Sequence, residues 1–273
     1  INKPQKAEEF YEKSFMTTDE RIESLTFIGL AEVKLRQGQI DQAIDFIKKL
    51  YTLSQKIDGN DIDLASEACL SAKDFINQIE KRLLRLKLVS KGFPELSTFL
   101  ERTFEPLWAE VKYEIISLWP FESRDHILPK KKQTLSPSDF GFHNCIKLND
   151  GGLKFIDFDY FGWDDPVKLT ADFIWHPAMN LNRGLTEKWK IAMLNIFSSD
   201  SQFEDRLNAA LPLYGLRWAL IILNEFLPGF ADRRKAAGET ETYNIDKIRR
   251  IQLKKAQHYC DKVKTMIKQV TFA

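Results

Sequence analysis

The sequence is poor in cysteine: Cys69, Cys145 and Cys260 are its three, far apart and with no Cys-x-x-Cys pair. That spacing argues against a disulfide framework or a structural zinc site and fits a reducing, cytoplasmic compartment. Charge of one sign is missing too, with 40 Lys and Arg against 39 Asp and Glu for a formal net of +1. Without a basic field to draw in a phosphate backbone, nucleic acid is not an expected partner. No stretch of about 18 residues is free of charge, so no membrane partner is expected either. The nearest candidate, Leu211 to Phe230, carries Arg217 and Glu225 and reads as a buried helix. A charged start followed by an apolar stretch, the mark of a signal peptide, is absent.

What is present is ample apolar material, 44% of residues with 20 Phe and 6 Trp, enough for a packed interior. From about Glu8 to Leu118 the pattern is helical. Thr17 to Glu20 offer helix-start residues ahead of Ile22, Leu25, Phe27 and Ile28. Apolar spacing predicts further helices over Ile40–Leu53, Leu64–Leu88 and Pro94–Trp119. Pro120 to Pro137 then reads as a loop, with Lys130, Lys131 and Lys132 at a solvated tip. Two short strand-like runs follow, Asn144–Leu148 and Leu153–Phe158, joined by Asn149-Asp150-Gly151-Gly152. Asp-Gly between such runs predicts a hairpin, because glycine takes the positive φ of the turn. It is the one convincing β element in the sequence. Helices resume over Glu187–Phe197, Ser201–Leu227, with a break near Pro212, and Ile245–Val270. Arg233 to Thr242 reads as an exposed connection.

The hairpin is flanked by acids and an amide that a structural hairpin does not require. Asp139 and Asn144 precede its first strand, and Asp157 and Asp159 leave its second. A hairpin brings its ends together, so Asn144 and Asp157 should sit side by side, with Asp139 held near by the short loop. Few, hard oxygen donors suit Mg²⁺, which takes the rest of its shell from water and substrate phosphates. Phosphoryl transfer uses these parts: an Asp that orients or deprotonates the attacking hydroxyl, and an Asn and an Asp that hold the metal. Asp-x4-Asn, a hairpin and then Asp is also the order of a protein kinase catalytic loop.

Leu135-Ser-Pro-Ser-Asp-Phe-Gly-Phe-His-Asn144 with Phe155-Ile-Asp-Phe-Asp-Tyr-Phe-Gly-Trp-Asp-Asp-Pro166 resembles the aminoglycoside phosphotransferase and choline kinase-like superfamily. Pro137 and Ser138 stand where that family carries His and Gly. The resemblance implies Asp139 as the catalytic residue, Asn144 and Asp157 as metal ligands with Asp159 as a helper, and Asp165-Pro166 as a structural turn. It implies Mg²⁺ and ATP or GTP as cofactors and a small-molecule hydroxyl as acceptor. Trp163, Arg217 and Glu225, with Trp218 and Asn224, are the substrate-binding candidates. His143 reads as structural or exposed, and His126, His176 and His258 have no partners at metal-ligand spacing.

The expected fold is α+β, predominantly α: a single kinase-like C-terminal lobe over 1–273, with helices to 130, the catalytic segment at 131–166 and helices from 167. Residues 1 to 130 show neither the strand pattern nor the glycine-rich turn of a nucleotide-clamping β lobe, so that lobe is expected to be missing from this chain. The alternative is a non-catalytic protein that keeps the kinase lobe as a binding scaffold.

Overall fold

The computed structural model describes residues 38–57, 61–230 and 244–271. The helix start expected at Thr17 to Glu20 and the connection at Arg233 to Thr242 lie outside those residues. The chain divides into two compact units, Ile1–Ala43 and Ile44–Ala273, and every residue of the candidate site belongs to the second. The described residues are mostly helical, with two small two-stranded sheets.

Helix α1 spans 38–54, and α2 spans Ala72–Ser90, starting eight residues later than the periodicity predicts. The reason is tertiary. Residues 63–65 run beside Trp163, exchanging backbone hydrogen bonds from Ala65 N to Trp163 O and from Trp163 N to Asp63 O, both 2.9 Å. The helix begins only where Ser71 caps it, its hydroxyl accepting from Asp74 N while the Asp74 carboxylate takes Leu70 N in return.

The long helix expected from Pro94 is present as α3 (Pro94–Phe99) and α4 (Glu105–Leu118), joined without a break by a π-helical turn over Leu100–Phe104. Pro106 has no N–H to give to the preceding turn, and widening that turn is how a helix absorbs such a loss. A short α5 (Phe121–Arg124) follows.

The expected hairpin is β2 (Cys145–Lys147) against β3 (Leu153–Phe155). Gly151 has φ +87 in its turn, and Asp150 Oδ1 accepts from Gly152 N at 2.8 Å. It is not the sole β element. β1 (Thr134–Ser136) pairs antiparallel with β4 (Gly162–Asp164), across what reads in sequence as loop. All six residues are buried, so the alternation that signals a half-buried strand is absent. Gly162 is needed there because a Cβ would fall onto the backbone of Asp63, Leu64 and Ala65. Gly162→Ala is expected to lower stability by about 1–3 kcal/mol, the usual range for forced overpacking, read as a fall in the urea midpoint. An unchanged midpoint would contradict the close approach.

The remaining helices are α6 (Pro166–Trp175), α7 (Arg183–Ile196), α8 (Phe203–Ile222) and α9 (Ile245–Thr271). α8 is central, packed against α2, α4, α6 and α9. It continues through Pro212 where a break was expected, since its surroundings bury nearly every residue from Ala209 to Leu223. Asp165 caps α6 through Val167 N at 2.9 Å, and its carboxylate is gripped by the buried Arg206 of α8. Beneath the hairpin, Phe46, Phe140, Phe155, Phe173 and Trp189 stack in a continuous aromatic block.

Candidate active site

Asp139 opens the loop between β1 and the hairpin. Its neighbour Phe140 is anchored in the aromatic block, so the loop is pinned one residue from its functional side chain. Ser138 on the other side has φ +65, a left-handed conformation that glycine adopts freely and serine does not. That geometry is held in place. Ser138 Oγ donates to Ser66 O at 3.0 Å and accepts from Lys168 Nζ at 3.0 Å, while Lys168 pairs with the buried Asp164 at 2.6 Å. A buried lysine from α6 thus stabilises serine in a backbone state that glycine would adopt freely.

Asn144 Nδ2 donates to Asp139 O at 2.9 Å, fixing the width of the loop. Asn144 O accepts from Ile156 N at 3.0 Å, which extends the hairpin pairing to its open end and sets Asn144 beside the Ile156-Asp157 step. Asp157 is exposed and has φ +64. Glu67, whose neighbour Ser66 accepts from Ser138 Oγ, has φ +51, so two of the four non-glycine positive-φ residues described, Glu67 and Ser138, lie together beside Asp139. Strained backbone of this kind gathers where a side chain must be held in an unusual direction.

A cavity of about 460 Å³ opens next to Asp139. Its walls carry Glu67, Arg82, Asp172, His176, Arg217 and Trp218, with Tyr160 and Asn224 at its edge. Arg217 donates to Glu67 at 2.6 Å and to Gln78 at 3.1 Å, and Arg82 reaches the same Glu67 carboxylate at 2.6 Å. Burial works to raise the Glu67 carboxyl, but the Arg217 and Arg82 guanidinium groups outweigh it and hold it below its ordinary value. Trp218 Nε1 donates to Asp172 at 2.6 Å.

Asp139 itself accepts a hydrogen bond from His143 Nε2 at 2.9 Å, and His176 Nε2 lies 3.7 Å from the same oxygen. The His143 hydrogen bond, against the opposing effect of partial burial, keeps the Asp139 carboxyl below its usual value. A carboxyl depressed on folding contributes stability above its unfolded pKa and loses it as pH falls through the folded value. Asp139 therefore stays ionised through neutral pH and is lost as an acceptor only in acid.

Of the sequence candidates, Asn144 bonds Asp139 directly and, through its backbone, the residue before Asp157, whereas the exposed Asp157 is not among the residues that line the cavity. Asp159 lies exposed beyond them. Arg217 lines the cavity with Trp218 and Asn224, whereas Glu225 is buried outside it. Trp163 is also away from the cavity: it is buried with Leu50 and Leu135, and Lys130 Nζ sits 3.5 Å above its ring. The expected solvated lysine tip is thus partly engaged, since Lys132 also pairs with Asp200 at 2.9 Å. Glu67 and Arg82 join the site from the segment before α2 and from α2 itself, and Asp172 and His176 join it from the end of α6. Asp172-x3-His176, at helical spacing close to the motif, is a sequence clue to the second pair. No protein-family model and no curated protein matches the chain.

Proposed function

We propose that this chain is the acceptor-binding, catalytic lobe of a phosphotransferase that moves the γ-phosphate of ATP or GTP to a hydroxyl of a small molecule, in the cytoplasm. The observation that carries the reading is the bonding of Asn144 both to Asp139, which lines a polar cavity, and to the Ile156 N–H just before Asp157, with Ser138 and Asp157 both held at positive φ.

In this reading the acceptor hydroxyl lies in the cavity against Asp139, which orients it and takes its proton as its oxygen bonds to the γ-phosphorus and the bond to the β,γ-bridging oxygen breaks, releasing the nucleoside diphosphate. Asn144 and Asp157 would hold Mg²⁺, with Asp159 assisting. The donor set fits that ion: carboxylates and one amide, all oxygen donors, with the Asn144 N–H side already committed to Asp139 O. When bound, the ion neutralises charge on the transferred phosphate. The chain's own residues do the rest by positioning: the serine–lysine brace holds the loop, and the arginine–glutamate network shapes the acceptor wall. Arg82 Nε, buried with no hydrogen-bond partner among the described residues, is a donor that an acceptor oxygen can complete.

A thermal shift of the full-length protein with Mg²⁺ and ATP or GTP tests this directly. Nucleotide at about 100 times its dissociation constant is expected to stabilise the native state by about 2.7 kcal/mol, and Asp157→Asn is expected to abolish the shift. If neither protein responds, the non-catalytic scaffold reading replaces this one.

A further inference from the structure

Three side chains of metal-binding type, Asp139, His143 and His176, place their ligand atoms within 4.8 Å of one another. Two imidazoles and a carboxylate are a familiar ligand set for zinc or iron. The hydrogen bonds around His176 point elsewhere. Ala178 N–H donates to His176 Nδ1 at 3.2 Å, so Nδ1 carries the lone pair and the neutral ring bears its proton on Nε2. Nε2 is the atom that faces Asp139 Oδ1. Binding a metal there would require moving that proton to Nδ1, against the Ala178 N–H.

His143 addresses the same oxygen through its own Nε2. The two rings lie parallel, with centroids 4.0 Å apart and planes 1° from coincidence, so they reach Asp139 side by side. His176 is itself fixed. Its backbone N–H donates to Asp172 O at 2.8 Å at the end of α6, and the Trp218 ring stands nearly perpendicular to the imidazole with centroids 4.5 Å apart. Trp218 is in turn tied to the Asp172 carboxylate.

We infer that His143 and His176 are positioning residues: His143 Nε2–H holds Asp139 Oδ1 by a hydrogen bond, His176 Nε2–H faces the same oxygen from 3.7 Å while its ring stacks on His143, and Oδ2 is left for the acceptor. The hydrogen-bond geometry stands by itself; its consequence for turnover rests on the phosphotransferase reading.

The test has two arms on the full-length protein. Long-range ¹⁵N correlation spectra of the histidine rings should show His176 as the Nε2–H tautomer, with its signals displaced in Asp139→Asn. Zinc titrated by calorimetry should show no binding that depends on His176. In the second arm, Mg·ATP hydrolysis is followed with water in place of the acceptor. His176→Leu should lower kcat about tenfold, a modest share of the loss that misplacing a reacting group can cause, with KM for the nucleotide unchanged. His176→Gln, whose amide N–H reaches the same place, should restore most of the rate. An Nδ1–H tautomer, or tight zinc binding lost in His176→Gln, overturns the inference, as does a His176→Leu rate equal to that of His176→Gln. A wild type that hydrolyses nothing would count against phosphotransfer, while the spectra would still decide the geometry.

Discussion

Asp157→Asn is expected to cut phosphate transfer by at least two to three orders of magnitude while leaving the melting temperature in place. Removing a single preorganised electrostatic group from an active site typically has an effect of about that size, and in the proposed site the lost charge would face both the metal and the phosphate. Asparagine is the right replacement because of the backbone. Asp157 sits at φ +64, which asparagine tolerates and alanine does not, so Asp157→Ala would add about 1–2 kcal/mol of left-handed strain to the chemical defect. The side chain is exposed, so its amide should leave packing untouched. Transfer assayed with Mg²⁺ and labelled nucleotide against a panel of hydroxyl acceptors decides the matter. Turnover within about threefold of wild type would remove Asp157 from the site.

The largest expected effect on stability belongs to Arg206. Its guanidinium is fully buried, donating to both oxygens of Asp165 at 3.0 Å and to Asp200 at 2.6 Å. Arg206→Ala would leave the buried Asp165 carboxylate without its cation and Asp200 with Lys132 alone. Breaking a buried pair from one side costs about 3–5 kcal/mol. In a protein of this size that corresponds to a fall in Tm on the order of 10 °C. The damage should also reach the site, because Asp165 caps α6 and α6 ends at His176. Arg206→Lys keeps the charge but not the fork, and is expected to fall between the two. A Tm for Arg206→Ala within about 2 °C of wild type would mean that the buried acids are accommodated some other way.

Much of this architecture was legible along the chain. Helix periodicity located α3 with α4, α7, α8 and α9 to within a few residues, because each buries an apolar face wherever its neighbours lie. Asp150-Gly151 placed the hairpin turn for a local reason, the positive φ at Gly151. Where local pattern and tertiary contact disagreed, contact won. The segment before Ser71 has helical spacing but pairs with β4 instead, and Pro212 sits within α8 because the packing around it maintains the helix. The pairing of β1 with β4 left no trace in the pattern, since strands buried on both faces have no polar residues to alternate with.

The sequence by itself determined the order of the helices, the hairpin, and the placing of Asp139, Asn144 and Asp157 around it, all of which depend on neighbours within about 25 residues. Only the tertiary structure decided what surrounds Asp139. Glu67 and Arg82, His176, and Arg217 come from segments far apart in the chain, and no spacing rule links them. They meet because the segment before α2, the end of α6 and the middle of α8 pack around one cavity, where paired charges satisfy one another more cheaply than any could remain half-buried alone.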